Sequence, residues 1–176
     1  MLVGSFSTNH YGIPREDADF VVTLGDRSIS TITQALGPAF RLDRQMRFET
    51  ITGTTRHIVH VPEAAFVVAF FQLSEDPHDQ ERFRLRRAVR LFDRPAFLPT
   101  VEDVIITKLR WSLQGNRPKD RDDIRNVIAV QEAEGASIDW PYIHAWCDRH
   151  GTRELLDEIR RSIPPIDIEP IAGHDA

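Results

Sequence analysis

The chain has 176 residues, of which 41% are hydrophobic and 28% charged, so it is long enough for one globular domain with a buried core. Its formal net charge of −5 excludes a polycation that binds nucleic acid with its whole surface. Its single cysteine, Cys147, excludes an intrachain disulfide, and the sequence contains neither an apolar run of membrane-spanning length nor a signal peptide. We therefore expect a cytoplasmic protein without membrane association.

The first half of the chain is predicted to form short strands and one helix. Residues 1–3 have strand character, and residues 20–24 form an apolar, β-branched strand. Apolar residues recur at helical spacing over 29–36. Further strands are predicted over 48–51, 56–61 and 66–73. The last is almost wholly apolar, as is typical of a strand buried on both faces, and it should pair antiparallel with its predecessor.

The second half is predicted to be mostly helical. A helix from Asp76 to about Val89 carries the highest density of basic residues in the chain, and residues 91–98 are extended. Interleaved with Glu81, these arginines are typical of a solvated helix face, with contact to an RNA backbone as the alternative. Four more helices are predicted over 100–115, over 120–132, from Asp139 onward, and over 152–163.

Strands followed by helices indicate an α+β fold: a small mixed β-sheet with helices on one side, followed by a helical C-terminal half. We predict one domain over residues 1–164, with a mixed-sheet core at 1–99 and a helical half at 100–164. Residues 165–176 combine prolines and acids with few large apolar groups, and they are predicted to be a disordered tail.

Two carboxylates stand at the start of the first apolar strand. Asp17 and Asp19 are two residues apart, so on a strand their side chains point to the same face. Like charges this close are unfavourable unless a cation lies between them, and Mg²⁺ commonly takes one or two carboxylates together with substrate phosphates. Upstream, Gly4 and Ser5 would let backbone N–H groups approach a phosphate. The alternative is an ordinary polar turn before a strand.

This arrangement resembles the Gly-Ser…Asp-x-Asp signature of the minimal nucleotidyltransferases, which are relatives of DNA polymerase beta. More closely, the chain resembles the bacterial nucleotidyltransferase domains grouped with AbiEii-type toxins, over most of its length to about Pro164. The segments that carry the resemblance are Gly4-Ser5, Tyr11 to Arg15, Asp17-Ala18-Asp19, Val101-Glu102-Asp103 with Lys108, and Arg117 to Asp120 with Asp123.

The resemblance implies a nucleotidyltransferase-like sheet, a Mg²⁺ cofactor and an NTP substrate. It casts Asp17 and Asp19 as catalytic metal ligands. It further implies Lys108 and Asp120 as catalytic residues, and Gly4, Ser5, Arg15 and Lys119 as nucleotide-binding residues. For Lys108 the alternative is a surface lysine lying along its helix, and for Asp120 it is an acid that suits the N-terminal end of a helix.

The chain departs from the family pattern at two places. Relatives carry a third carboxylate about where Ala69 stands, in the apolar run from Phe66 to Phe71, and a Ser/Thr-Lys pair between Arg15 and the aspartates. The third carboxylate completes the metal site and can accept the proton of the attacking hydroxyl group. Its absence predicts a weakened or inactive enzyme.

Two functions follow from the resemblance. One is a Mg²⁺-dependent nucleotidyltransferase, weakened, that moves a nucleoside monophosphate from an NTP to a hydroxyl group of RNA, such as tRNA, or of a protein. The alternative is a catalytically inactive relative that binds nucleotide or a partner protein. The AbiEii-type resemblance also implies an antitoxin-type protein partner.

Overall fold

A computed structural model describes residues 1–12, 18–64, 66–115 and 117–164 of the chain. Within these residues the strands are β1 (Leu2–Val3), β2 (Ala18–Val22), β3 (Arg41–Leu42), β4 (Arg47–Glu49), β5 (Thr54–Val61), β6 (Phe66–Gln72), β7 (Arg87–Leu91) and β8 (Arg94–Leu98). The helices are α1 (Gly4–Tyr11), α2 (Ile29–Leu36), α3 (Pro77–Arg84), α4 (Val101–Gly115), α5 (Pro118–Ala133), α6 (Trp140–His150) and α7 (Arg153–Arg161). The predicted tail at 165–176 lies outside the described residues.

The larger sheet is mixed, with strand order β1-β2-β6-β5-β3 and with β4 also paired to β5. Strands β2 and β6 run parallel, and the remaining pairs of this sheet are antiparallel, including the predicted pair of β5 and β6. Helices α4 to α7 follow the strands. The predicted α+β class, a mixed sheet followed by a helical half, is therefore confirmed.

Strand β6 is buried on both faces of the sheet, as its apolar sequence predicts. Ala69 and Phe71 belong to one apolar cluster, against which Phe83 of α3 and Trp111 of α4 pack. Val68 and Phe70 belong to the cluster on the opposite face. Helix α2 covers that opposite face, where its residues Ile29 and Ile32 join the cluster. Helices α3 and α4 thus pack on the first face, and of the described helices α2 is the one whose residues join the cluster on the second.

The helical half has its own core. Its buried residues come from all four C-terminal helices and include Ile105, Leu109, Ile128, Ile143 and Leu156. Tyr11 of α1 joins this core, and its hydroxyl donates a hydrogen bond to the carbonyl oxygen of Pro99 at 3.0 Å. Helix α1 therefore connects the N-terminal strands to the helical half.

The arginine-rich segment differs from its prediction. Helix α3 ends at Arg84, and residues 87–91 form strand β7, which pairs with β8 as a separate two-stranded hairpin. The turn residues Phe92 and Asp93 both have positive φ, at 48° and 60°, as a two-residue hairpin turn requires. Arginine is a good helix former, but helix propensity is a weak preference in general, and pairing with β8 outweighs it here.

Among the described residues, no helix is both long enough and apolar enough to cross a membrane.

Substitution of two leucines on α4 tests which side of this helix faces the helical core. Leu109 is fully buried, whereas Leu113, one turn later, is 50% exposed. We expect Leu109→Ala to lower the free energy of unfolding by about 2–5 kcal/mol, because it removes buried contacts and leaves a cavity. Leu113→Ala should cost less than about 1 kcal/mol. Urea denaturation measures both, and equal losses would contradict this assignment of the core.

Candidate functional site

The start of α1 packs directly against the carboxylate of Asp19. In the sheet Asp19 lies opposite Val3, and α1 begins at the next residue, Gly4. Gly4 has φ +61°, and a Cβ built on it would collide with Oδ2 of Asp19 and lie 3.0 Å from its Cγ. Only glycine allows both this backbone conformation and this close approach. The structure therefore brings the predicted Gly-Ser segment and one of the two predicted aspartates together.

A cavity opens beside this contact. Its void volume is about 600 Å³, part of which is open to solvent. Its apolar wall is formed by Val3, Val21, Phe71, Pro99, Val104 and Trp111. Its polar wall includes Gly4, Ser7, Asp19, Asp79, Arg82 and Lys108. Such a mixture of apolar walls and a few polar groups is typical of sites for small molecules.

Ala69 lies next to Asp19 in the sheet. The parallel pairing of β2 and β6 places Asp19 directly opposite Ala69, as predicted. Ala69 is 1% exposed and packs among Val3, Val21 and Ile58. A methyl group in an apolar cluster can neither bind a cation nor accept a proton. At this paired position, the described residues of β2 and β6 therefore supply one carboxylate, that of Asp19.

Lys108 is buried in α4 and is held by two acids of α5. Its Nζ lies 2.9 Å from Oδ1 of Asp120 and 2.7 Å from Oδ2 of Asp123. Both aspartates are fully buried, and Arg117 lies 3.2 Å from the second oxygen of Asp120. The ammonium group, although it borders the cavity, is thus neutralised by the protein itself. The alternative of a lysine on the protein surface is wrong.

The other predicted site residues are distributed around this centre. Ser5 is buried within α1, and Asp120 lies behind Lys108, so neither is among the residues lining the cavity. Lys119 is exposed. Asp17 and Arg15 lie outside the described residues. Their predicted roles, like those of the other site residues, stay predictions.

One group of three side chains among the described residues comes close enough together to hold a divalent metal. Ligand atoms of Asp76, His78 and Asp79, at the start of α3, lie within 4.8 Å of one another. This group is not among the site residues predicted from the sequence. The Asp-x-His-Asp spacing at the start of a helix is the only sequence signal that could have indicated it.

Most of these potential ligand atoms already have partners. Asp76 accepts two hydrogen bonds from Arg110, both at 2.9 Å, and those bonds help to keep the pKa of Asp76 below its ordinary value although burial opposes them. Asp79 is bound by Arg82 at 2.8 Å and by the Ser74 hydroxyl at 2.6 Å. Two guanidinium groups therefore occupy the place where a cation would have to bind, and imidazole is an unusual ligand for Mg²⁺. The group fits a structural network better than a magnesium centre.

His78 connects this network to the helical half. Its Nε2 lies 3.1 Å from Oδ1 of Asp103 on α4, and the Tyr142 hydroxyl donates to the same oxygen at 2.9 Å. Thr100, before α4, donates to the other oxygen of Asp103 at 2.9 Å. Burial lowers the pKa of His78 and raises that of Tyr142, and the Asp103 carboxylate further raises the pKa of Tyr142. The arrangement holds His78 neutral in the interior.

Gly4 and Gly25 form a matched pair for testing the close approach of Asp19. Both have positive φ, at 61° and 55°, but a Cβ on Gly25 would meet no atom within 4 Å. Alanine at either position should cost about 1–2 kcal/mol of backbone strain. Gly4→Ala should cost more, because its methyl group must also displace Asp19. Thermal denaturation of the two variants measures the difference, and equal losses would show that Asp19 moves away freely.

The ion pairs of Lys108 test whether this residue supports the fold. Lys108→Met leaves two buried aspartates without their shared cation, and we expect a loss of about 3–5 kcal/mol in unfolding free energy at pH 7. The matched control is Arg125→Met, which breaks a largely exposed pair with Asp122 and should cost less than about 1 kcal/mol. A Lys108→Met variant as stable as the natural chain would contradict the structural role.

His150 makes the fold sensitive to acid. Burial lowers its pKa to about 4, with further lowering by Arg110, His78 and Arg149, while Asp76 opposes this. An unfolded histidine has a pKa of about 6.5, so the unfolded chain takes up this proton first. The contribution of neutral His150 is therefore complete above about pH 6.5 and is lost as the pH falls toward about 4.

The measurement is the melting temperature of the natural chain and of His150→Gln across that pH range. The variant should lose less stability between pH 6.5 and 4, because glutamine does not titrate. His10→Gln, at an exposed position, is the control and should follow the natural chain. Parallel curves for His150→Gln and the natural chain would count against a depressed pKa.

The comparisons with known proteins concern the fold. No protein family model matches the chain, and no curated protein matches it. Among solved structures the chain is similar to an antigenic nucleotidyltransferase-like protein from Paracoccidioides brasiliensis, with 16% sequence identity and a TM-score of 0.48. The match covers 91% of this chain and 83% of that one. A similarity at this level assigns no activity to the chain.

Proposed function

We propose that the chain is a nucleotidyltransferase-like protein that binds an NTP with Mg²⁺ in the cavity beside α1, and that transfers nucleotide poorly or not at all. The observation that carries this proposal is the packing of the Asp19 carboxylate against Gly4, at the point where α1 begins and the cavity opens. Backbone N–H groups at the start of a helix favour phosphate, and a neighbouring carboxylate favours a cation.

The residues present fit a magnesium ion in part. Mg²⁺ usually retains several waters and takes one or two carboxylates together with substrate phosphates. Asp19 would supply one carboxylate, and Asp17, two residues earlier, lies outside the described residues. When bound, Mg²⁺ would neutralise charge on the phosphates of the NTP.

The cations of the cavity favour binding of phosphate only modestly. Lys108 and Arg82 both line the cavity, but each already has a buried aspartate partner. A triphosphate would therefore add negative charge to a wall whose charges are largely balanced. This makes the metal ion and the start of α1 the main sources of phosphate affinity, and it predicts that nucleotide binding depends on Mg²⁺.

Transfer requires a group that accepts the proton of the attacking hydroxyl. Ala69 stands beside Asp19 where the family resemblance expects a carboxylate, and it is enclosed by apolar side chains. The loss of a general base typically lowers a rate by about 10²–10⁴-fold. Binding without efficient transfer is therefore the function that this geometry supports best.

The proposed acceptor and protein partner rest on the sequence resemblance. Membership of the AbiEii-type toxin-like group would make a hydroxyl group of tRNA or of a protein the acceptor in any residual transfer. It would also provide an antitoxin-type protein as a binding partner. Both are part of the proposal, as is a cytoplasmic location.

Nucleotide binding is tested by the melting temperature with each of the four NTPs, with and without Mg²⁺. A ligand of the native state stabilises it by mass action, by about 2.7 kcal/mol at one hundred times its Kd. We expect a rise for at least one NTP only when Mg²⁺ is present. Asp19→Asn should abolish the rise, and Asp26→Asn, at an exposed position, should retain it. A rise that survives Asp19→Asn would place the nucleotide elsewhere.

Transfer is tested separately with radiolabelled NTPs, Mg²⁺ and bulk tRNA. The natural chain should label little or no tRNA, and Ala69→Asp should raise the labelling. Ala69→Asn is the matched control, since it has nearly the same shape and no negative charge. The melting temperatures of both variants establish that they fold. Efficient transfer by the natural chain would show that another carboxylate accepts the proton of the attacking hydroxyl. This result would overturn the proposed loss of activity but not the proposed nucleotide binding.

A further inference from the structure

The β7–β8 hairpin is a basic projection on an acidic protein. The chain as a whole carries a net charge of −5, whereas the hairpin, over residues 87–98, carries three arginines, at positions 87, 90 and 94. Arg90 and Arg94 lie on the two strands of the hairpin, and both are exposed. Asp93, at the turn, is the one acid between residues 82 and 94. Positive charge is thus concentrated where the hairpin meets solvent.

One face of the hairpin is open along its length. The pairing register places Ala88 opposite Phe97 and Arg90 opposite Pro95 on this face, and all four residues are exposed. The other face carries Val89 and Leu98 and is more buried, although Arg87 and Arg94, which the same register places on it, are exposed. A two-stranded sheet has no second layer of its own, so the open face is available to a partner.

The hairpin presents aromatic rings together with guanidinium groups. Phe92, at the tip, is 89% exposed, and Phe97 is 45% exposed. The guanidinium group of Arg86 lies over the Phe97 ring, 5.0 Å from its centroid. Exposed phenylalanine rings and guanidinium groups together are the groups that bind single-stranded nucleic acids: bases stack on the rings and phosphates bind the guanidinium groups.

The chain segments before β7 and after β8 both contribute residues to the cavity wall. Pro99, directly after β8, lines the cavity, and so does Arg82 of α3, five residues before β7. The hairpin therefore rises from the cavity rim, beside the position of Asp19. A strand of nucleic acid lying on the open face would lead toward the site proposed for the nucleotide.

We propose that the β7–β8 hairpin is a binding surface for single-stranded nucleic acid, in which Arg90 on the open face and Arg94 beside the turn contact phosphates, and Phe92 and Phe97 stack on bases. The proposal stands apart from nucleotide binding in the cavity, because it uses different residues. A membrane surface fits less well, since the fully exposed Asp93 carboxylate lies next to Phe92 at the tip that would have to insert.

Binding is measured by fluorescence anisotropy with a labelled, unstructured RNA of about 20 nucleotides, and with DNA of the same sequence, at about 50 mM and 200 mM salt. The natural chain should bind at least one of the two, and the ratio of the affinities assigns RNA or DNA. Each phosphate contact contributes about 0.7 to the salt dependence for single strands, so Arg90→Ala with Arg94→Ala should lower that slope by about 1.4.

Stacking is tested by Phe92→Ser, which should weaken binding by roughly 5- to 150-fold at either salt concentration. The matched control for charge is Arg27→Ala with Arg44→Ala, which removes two exposed arginines outside the hairpin and should leave the affinity nearly unchanged. Asp19→Asn should likewise leave it unchanged, and this separates failure of the hairpin proposal from failure of the nucleotide site.

Three outcomes would overturn the proposal. One is the absence of binding to either oligonucleotide at low salt. Another is an equal loss in the hairpin and control double variants, because this would indicate a general effect of net charge. The third is binding of the natural chain to anionic phospholipid vesicles in place of oligonucleotides, which would make the hairpin a membrane contact. The arginine and phenylalanine variants are all at exposed positions, so their melting temperatures should match that of the natural chain.

Discussion

The burial of helix α4 imposes the main constraint on this structure. Ten of its fifteen residues are buried, and four of these are charged. A buried charge is costly unless a partner compensates it, so each charged side chain of α4 must find a group on another element. Glu102 accepts a hydrogen bond from the backbone of Asp139, and Arg110 binds Asp76. In the same way Asp103 holds His78 and Tyr142, while Lys108 holds two aspartates of α5.

These contacts connect the sheet to the helical half. Asp76 and His78 stand at the start of α3, directly after the sheet, whereas Tyr142 and Asp120 belong to α6 and α5. The position of α4 against Phe71 through Trp111 fixes one wall of the cavity. The site is therefore held by a polar framework that had to form for the fold itself. This explains why two of its cations, Arg82 and Lys108, are already paired.

The sheet and the hairpin divide the proposed functions between them. Asp19, Gly4 and Ala69 belong to the central strands and their first helix, where close packing limits what each residue can do. The hairpin, in contrast, has an open face and a tip in solvent, where arginine and phenylalanine are free to meet a partner.

The sequence by itself determined the fold class and most helix and strand positions. Apolar periodicity is a local property, which is why the run from Phe66 to Phe71 identified a strand buried on both faces. The missing carboxylate at Ala69 was indicated by the family resemblance. The approach of Asp19 to Gly4 was suggested by a resemblance but decided by the pairing of β1 with β2. Pairing between distant residues leaves no periodic signal in the chain.

Only the tertiary structure decided the partners of the charged residues. For Lys108 the sequence left open a surface lysine and a phosphate ligand, because helical spacing does not reveal which neighbours a helix has. Its aspartate partners are 12 and 15 residues away. The arginines after Arg84 were predicted to continue a helix, since local propensity is weak and the competing partner, β8, follows only after the turn. The sequence thus shows how many charged side chains need a partner when they are buried. The packing of helices and strands determines which residues those partners are.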